Sequence, residues 1–194
     1  MPESGWSGEG GVLFRNPKGR VITEWSAVLF FTHVENCIVW LQESGIWEPF
    51  NKKTGRSHGM EVKASHSGSL GSVKLGADVS YYYTYSRLRT NDVYDGQQMV
   101  YVPRHKGNAL LTGSCGLVTG GLVLNYTGER YYDYKNVLKP YVTGDAYINL
   151  KLPFQVIDSS LKMRINNIWN TAYQVMAFYA MPRRNISVTV NVKI

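Results

Sequence analysis

The residues of this chain best suited to chemistry are aromatic and arginine side chains in its predicted loops. Aromatic rings and guanidinium groups dominate binding surfaces, because they bury large areas and offer directional contacts. Eleven of them are candidates for lining an extracellular ligand mouth: Trp47, Arg87, Arg89, Tyr94, Arg104, Arg130, Tyr131, Tyr132, Tyr134, Trp169 and Phe178. For any single residue of this set, the alternative is packing within a loop or within an aromatic belt.

The sequence shows no recognisable pattern of catalytic or metal-binding residues. His58 and Glu61 are three residues apart, a metal-ligand spacing on a helix, but on a strand the two side chains point to opposite faces. His33, His66 and His105 lie far apart, with no Asp or Ser partner at a recognisable spacing. We therefore predict no enzyme, no metal site and no cofactor, and an omptin-like or palmitoyltransferase-like barrel enzyme is the one enzymatic alternative.

Composition and charge narrow the class of protein further. The chain has 194 residues and a formal net charge of +7, but its Lys and Arg residues are scattered singly, which does not favour nucleic-acid binding. Cys37 and Cys115 are too few for a disulfide framework and lack metal-ligand spacing. No run of eighteen apolar residues is present, which excludes a transmembrane helix but not a transmembrane strand.

The elements that must position the candidate residues are strands. In residues 185–194 every second residue is apolar, and in residues 73–87 one face carries aliphatic residues followed by Tyr81, Tyr83 and Tyr85. Further strands are predicted in 21–41, from 57, in 106–117, through 122–126, in 146–152 and from 160. The predicted connections are 43–53, 67–72, 88–105, 119–121, 128–141 and 153–159, and residues 1–20 are predicted as a loop with a short strand at 12–15.

These patterns predict an all-β fold, an antiparallel up-and-down meander of about eight strands. Connections that alternate between long and short, with tyrosines gathered at one strand end, are typical of an outer-membrane barrel. The alternatives are a surface or secreted β-sandwich binding module and a small closed eight-stranded barrel. Self-closure is disfavoured because six charged side chains would compete for the small interior: Lys74, Asp78, Lys151, Lys162, Arg164 and Lys193.

Four stretches, in order, carry a family resemblance. They are "CIVWLQESGIWEPFNKKTGRSHGMEV", "VYVPRHKGN", "YTGER" and the C-terminal "LKMRINNIWNTAYQVMAFYAMPRRNISVTVNVKI". The matching positions are Ile38, Trp40, Pro49, Asn51, Gly59, Glu61, Pro103, Gly128, Arg130, Asn167, Ile168, Trp169, Tyr173, Pro182, Arg183 and Arg184. Over roughly residues 21–194 the chain resembles the C-terminal part of the barrel of a TonB-dependent outer-membrane receptor.

The resemblance implies TonB-dependent uptake of a scarce nutrient such as an iron–siderophore, cobalamin or a similar small molecule. It implies as partners the outer-membrane lipid, the rest of the receptor barrel and its plug, and the TonB complex through that plug. The chain is expected to be a fragment or split product located in the bacterial outer membrane, since no plug and no export signal are visible in it. Arg183 stands where the family usually has Gly, so the turn there is expected to differ.

Overall fold

A computed structural model describes residues 2–43, 46–90, 95–153 and 158–193, and their regular structure is entirely β. The strands are β1 Ser4–Lys18, β2 Val21–Glu43, β3 Ile46–Leu70, β4 Val73–Arg89, β5 His105–Cys115, β6 Val118–Thr127, β7 Arg130–Tyr131, β8 Val137–Leu138, β9 Tyr141–Leu152, β10 Asp158–Asn166 and β11 Asn185–Lys193. No helix within these ranges is long and apolar enough to cross a membrane.

Nine of these strands form one antiparallel sheet in the order β1-β2-β3-β4-β5-β6-β9-β10-β11, and β7 pairs with β8 separately. Residues 19–20, 71–72 and 116–117 and the link from β9 to β10 are the connections at one end of the sheet, which we name the turn end. The opposite end, the loop end, carries the long connections from β4 to β5, from β6 to β9 and from β10 to β11, whose described residues are 90, 95–104, 128–140 and 167–184. The predicted all-β meander is therefore confirmed, with nine strands in the sheet where about eight were predicted.

The strand register gives the sheet one apolar and one polar face. Along one continuous row across the sheet, Val188 of β11 lies opposite Met163, Met163 opposite Ile148, and Ile148 opposite Gly120. The alternate positions are polar: Thr189 lies opposite Lys162, and Lys162 opposite Asn149. Apolar side chains on the first face are widely exposed, for example Ile186 at 68% and Leu75 at 55%. The six charged residues that sequence patterns placed on one side of the sheet do share the polar face.

Aromatic side chains gather at the loop end of the apolar face. In β4, Tyr81, Tyr83 and Tyr85 follow the aliphatic positions on that face, as predicted from their spacing. Tyr85 contacts His58 at a ring separation of 5.1 Å. At the turn end, Phe14 stacks on Trp25 with ring centroids 5.4 Å apart. Two aromatic borders around an aliphatic band are typical of a wall that contacts lipid.

The structure corrects the predicted start of the chain. Residues 4–18, predicted as a loop with a short strand at 12–15, form the full strand β1 along the edge of β2. Gly8 and Gly10 look like loop residues in the sequence, but the ladder to β2 satisfies the backbone through this segment. Residues 46–53, predicted as loop, likewise belong to β3, which pairs with β2 beyond the bulge near Cys37.

The predicted turn at 119–121 is wrong by three residues. The chain turns at 116–117, where Gly116 has a positive φ of 56° that favours glycine. Gly121 lies inside β6, and a Cβ atom there would collide with the ring of Tyr147 on β9. The glycine at this position therefore makes room for a neighbouring ring and does not form a turn.

The alternative architectures do not fit the strand pairing. A β-sandwich needs two stacked sheets, whereas the described residues form one large sheet with a polar face. A small closed barrel needs its first and last strands paired, and among the described residues β1 pairs with β2 alone and β11 with β10 alone. The described strands therefore form one open sheet.

Candidate ligand-binding site

A cavity of about 830 Å³ lies at the loop end, and we name it the mouth cavity. β2, the end of β4 and all three long connections contribute to its lining. The lining residues are Ile38, Trp40, Leu88, Met99, Val100, Tyr101, Tyr132, Asp133, Tyr134, Asn136, Met176, Ala177, Phe178 and Tyr179. Seven of those on the long connections carry aromatic rings or thioethers, so the lining is mainly apolar with a few polar groups, as in small-molecule sites.

Three of the predicted ligand-facing residues meet in the mouth cavity. Tyr132, Tyr134 and Phe178 line it together, and the rings of Tyr132 and Phe178 make an edge contact with centroids 5.7 Å apart. Phe178 is 86% exposed and has a positive φ of 67°, a strained backbone that directs an apolar ring away from the protein body. Ile38 and Trp40, singled out from the family pattern, lie in the same lining.

A second, smaller cavity of about 320 Å³ brings together another part of the predicted set. Arg87, Arg104, Tyr131 and Tyr134 line it with residues 96–98. The guanidinium of Arg104 donates to Gln98 Oε1 at 2.8 Å, and the same glutamine donates to the carbonyl of Val102 at 2.7 Å. The loop 90–104 thus fixes the position of Arg104.

Arg130 was predicted to face a ligand, and the structure instead places it inside the protein, 3% exposed. Its Nη2 donates to the carbonyl of Gln174 and, at 3.5 Å, to that of Val175, and its guanidinium lies 5.2 Å from the centroid of Tyr141. Tyr141 in turn contacts Tyr173 at 4.7 Å. Arg130 therefore anchors the loop 167–184 on the sheet.

The remaining predicted residues lie apart from the mouth cavity. Arg89 pairs with Asp95 at 3.4 Å, and Trp169 packs over Gly144, where an added Cβ atom would come within 2.7 Å of the indole. Tyr94 lies outside the described residues, as does the side chain of Trp47, whose backbone belongs to β3.

The family-pattern residue Asn167 begins the last long loop through a polar network. It is 4% exposed with a positive φ of 51°, a backbone conformation that asparagine tolerates. Its backbone N–H donates to Asp145 Oδ1 at 2.8 Å, its side chain exchanges hydrogen bonds with the backbone of Thr171, and Asp145 also accepts from Arg164 at 2.5 Å. This Asp145 network connects the loop to β9 and β10.

Other family-pattern positions have structural roles in the wall. A Cβ atom at Gly59 would collide with the carbonyl of Tyr83 and the ring of Phe30, and one at Gly128 would lie 2.8 Å from the carbonyl of His105. Glu61 forms an ion pair with Lys63 on the polar face.

The turn around Arg183 does not require the glycine usual in the family. Its φ is not positive, and its Nη1 donates to the carbonyl of Asn170 at 2.8 Å. The left-handed conformation in this loop falls on Asn167, Asn170 and Phe178 instead. Pro103 lies between the mouth-lining segment and β5, and Asn51 lies in β3.

Sequence reasoning missed nine of the fourteen residues that line the mouth cavity. The missed residues are Leu88, Met99, Val100, Tyr101, Asp133, Asn136, Met176, Ala177 and Tyr179. Tyr101 belongs to the "VYVPRHKGN" stretch but was not among the predicted ligand-facing residues. It has a positive φ of 60°, and its hydroxyl accepts from the backbone N–H of Ala177 at 3.4 Å. Neither periodicity nor residue type indicates that these two loops touch.

Two ionisable side chains at the loop end, Asp133 and Tyr173, have shifted pKa values. Partial desolvation raises the pKa of Asp133, but hydrogen bonds from the side chain of Asn136 and from the backbone N–H groups of residues 135 and 136, together with the charge of Lys135, bring that pKa below its usual value. Burial raises the pKa of Tyr173, with smaller contributions from Tyr141 and Asp145. Asp133 is therefore a stable carboxylate at neutral pH.

Within the described ranges, no group of three or more His, Cys, Asp or Glu side chains is arranged to hold a metal ion. His58 and Glu61 lie on opposite faces of β3, as the strand prediction required.

Comparison with known proteins agrees with this geometry. The ferrichrome outer membrane transporter/phage receptor of Escherichia coli K12 is 26% identical over 185 residues, which cover 91% of this chain and 24% of that protein. Among solved structures, the unliganded ferric citrate transporter FecA superposes with a TM-score of 0.72 at 17% identity, over 95% of this chain and 30% of its own. BauA, the ferric preacinetobactin receptor of Acinetobacter baumannii, gives a TM-score of 0.64 at 16% identity, over 96% and 29%.

The chain thus spans about a quarter of its curated relative and about three-tenths of the solved structures, whose low identity shows the fold alone. A family model described as "TonB dependent receptor-like, beta-barrel" matches residues 1–168, a range that includes the whole of β1. This family consists of transporters and receptors and not of enzymes. The chain belongs to the TonB-dependent receptor β-barrel family.

Proposed function

We propose that this chain forms part of the wall and the extracellular loops of a bacterial outer-membrane receptor that takes up a scarce nutrient in a TonB-dependent manner. The observation that carries the proposal is the mouth cavity, an aromatic cavity of about 830 Å³ at the loop end of a sheet that has an apolar outer face. Relatives named for ferrichrome, ferric citrate and ferric preacinetobactin support an iron chelate as the cargo.

The lining of the mouth favours a large, weakly charged ligand. Tyr101, Tyr132, Tyr134 and Phe178 offer flat rings and hydroxyl groups, and Asp133 is the one carboxylate among the lining residues. Tyrosine provides contact area and a hydrogen bond at low entropic cost. A chelate that shields its metal behind an organic shell suits such a lining better than a bare anion does.

Completion of the transporter depends on further polypeptide. β1 and β11 each have one unpaired edge in the described sheet, and an unpaired backbone edge costs several kcal/mol per group in lipid. We propose that these edges pair with the remaining strands of a full barrel, which surrounds a plug, and that the plug contacts the TonB complex.

Uptake of radioactive iron by the native organism tests this proposal. Cells with the intact gene, with a deletion, and with the double substitution Tyr132→Ala and Phe178→Ala would be compared for ferrichrome, ferric citrate and a catecholate chelate, with and without a protonophore. We expect the deletion to abolish energised uptake of at least one chelate. The double substitution should lower that uptake by about tenfold, equivalent to about 1.4 kcal/mol of lost binding.

Trp169→Ala is the matched control, because Trp169 is a loop aromatic that does not line the mouth cavity. It should leave uptake unchanged at equal amounts of protein in the outer membrane. Unchanged uptake of all three chelates in the deletion strain would contradict the assignment to iron chelates. Absence of the protein from the outer membrane would contradict the proposed function as a whole.

A further inference from the structure

A row of basic side chains crosses the outer, apolar face of the sheet at the loop end. His33 of β2 lies directly opposite Arg56 of β3, and Arg56 lies directly opposite Arg87 of β4. One pair of positions nearer the turn end, the same face carries Phe31, His58 and Tyr85. The arginines therefore stand immediately above the aromatic border of the apolar band.

The height of this row matches that of lipid headgroups. A strand rises about 3.3 Å per residue, and a tilt of about 40° leaves about 2.5 Å of height, so a band of about 25 Å takes about ten residues. In β4 the loop-end aromatic border of the band reaches Tyr85. Arg87, two residues further, lies about 5 Å above that border, where charged headgroups begin.

Three arginines lie at this level, two of them against one aromatic ring. Arg87 and Arg104 both lie against the ring of Tyr85, at 4.5 and 5.3 Å from its centroid, and Arg56 donates to the ring nitrogen of His33 at 3.3 Å. We name Arg56, Arg87 and Arg104, with Tyr85 between them, the arginine cluster. All three arginines are exposed.

Among the described residues, no carboxylate pairs with the arginine cluster. The nearby acids are already engaged, since Glu35 lies 3.5 Å from His33 and Asp95 lies 3.4 Å from Arg89. Like charges placed directly opposite in a ladder destabilise it unless a counter-charge is present. An anion from outside the chain would therefore stabilise the facing pair Arg56 and Arg87.

We propose that the arginine cluster binds the phosphate headgroup of a phosphorylated lipid in the outer leaflet. The lipid's acyl chains would lie on the apolar face below the cluster, along Leu29, Met60 and Val79, which are exposed there. Arginine forks match phosphate oxygens in geometry and charge. Continuity between the cluster and the apolar face favours a lipid over a soluble phosphate, because one molecule then satisfies both.

The proposal rests on the proposed function for the placement of the sheet in the membrane. Its test uses the protein extracted from outer membranes into dodecyl maltoside, together with any chain it is assembled with. Native mass spectrometry would follow binding of dioctanoyl phosphatidic acid and of dioctanoyl phosphatidylcholine, whose choline group neutralises the phosphate charge. Inorganic phosphate would be added as a competitor.

We expect the wild-type protein to bind phosphatidic acid at least about tenfold more tightly than phosphatidylcholine, and inorganic phosphate at millimolar concentration to leave the bound lipid in place. The triple substitution Arg56→Gln, Arg87→Gln and Arg104→Gln should remove most of this preference. The triple substitution Lys135→Gln, Lys139→Gln and Arg184→Gln, which removes the same charge from exposed loop positions outside the cluster, should preserve it.

Equal binding of the two lipids by the wild-type protein would overturn the proposal, whatever the variants do. The proposal would also be overturned if the triple arginine variant, shown to be folded by its electrophoretic migration, kept the preference for phosphatidic acid. Displacement of the bound lipid by inorganic phosphate would overturn it as well. These results would leave the proposed transport function intact. Failure to find the protein in the outer membrane would count against both proposals.

Discussion

The nine-stranded wall and the loop end are stabilised in different ways. In the wall, most strand positions alternate between an apolar face and a polar face, and every strand between β1 and β11 is paired with both neighbours. At the loop end a few long-range polar contacts hold the chain, chiefly those of Arg130 and the Asp145 network. The wall therefore depends mainly on residue polarity, apart from tightly packed glycines such as Gly59 and Gly121, whereas the loop end depends on particular side chains.

Because the wall and the loop end are stabilised differently, mutations in the two regions should have different effects. A change of polarity on one face should destabilise the wall wherever it falls, because lipid does not solvate charge. A change at the loop end should matter only at an anchor or in the mouth lining. Adjacent residues on opposite faces of one strand offer the sharpest comparison.

The largest effect is expected for Leu111→Lys. Leu111 lies on the apolar face of β5, opposite Ala77 and near the middle of the band. A lysine there should cost about 2–4 kcal/mol, because the ammonium group is placed in lipid. The free energy of unfolding in denaturant, measured in micelles or vesicles, reports the change.

Leu110→Lys is the matched control for this substitution. Leu110 is the preceding residue, faces the polar side and lies opposite Asp78, so the added ammonium group would meet water and a carboxylate. We expect a change below about 1 kcal/mol. Equal destabilisation by the two lysines would break the assignment of the faces.

An intermediate effect is expected for Asp145→Ala. The substitution removes the acceptor for Arg164 and for the backbone N–H of Asn167, at a cost of about 1–3 kcal/mol. Hydrogen exchange of amides in residues 168–184 should accelerate by about tenfold or more, with little change in β4 and β5. Asp158→Ala, which removes a surface ion pair with Lys151 whose side chains are both more than 60% exposed, should change exchange only slightly.

A smaller effect on stability is expected for Phe178→Ala. Because Phe178 is 86% exposed, its removal should change the free energy of unfolding by less than about 0.5 kcal/mol. The same substitution should weaken binding of the chelate identified by uptake. A large loss of stability would show that Phe178 belongs to the loop packing and not to the ligand surface.

The smallest effect concerns pH and Asp133. Its pKa is lowered in the folded loop relative to about 3.9 in the unfolded chain, so the carboxylate stabilises the loop above about pH 4. That contribution is lost as pH falls through the folded-state pKa. Exchange of the amides of Lys135 and Asn136, corrected for intrinsic rates, should rise below about pH 4 in the wild type and not in Asp133→Asn, which lacks the titration.

The wall could be predicted from sequence where alternation was complete. β4 from Val73 to Tyr85 and β11 over its whole length repeat with a period of two, which identified the faces of both strands and the tyrosine border of β4. β1 escaped prediction because Gly8, Gly10 and Pro17 suggest a loop, and its strand conformation comes from pairing with β2. A turn was predicted at residues 119–121 because of their glycines, but Gly121 instead makes room for the ring of Tyr147.

The mouth cavity could be predicted only in part. Aromatic residues in loops were recognisable as candidates, and Tyr132, Tyr134 and Phe178 do meet. Arg130 has the same residue type as Arg104 but is buried beneath the last loop. Which loop residues touch depends on contacts between positions more than forty residues apart, such as Tyr101 with Ala177, and no local pattern encodes those.

The central claim, that one face of the sheet contacts lipid and the other lines an aqueous interior, is tested most directly by cysteine scanning along β5. In a protein with Cys37 and Cys115 replaced by Ser, single cysteines at positions 108–113 would be introduced and the protein assembled in outer membranes. We predict that a small water-soluble maleimide labels positions 108, 110 and 112, and that a fluorophore attached at positions 109, 111 and 113 is quenched by brominated lipid. Uniform labelling, or labelling with the two sets exchanged, would contradict the account.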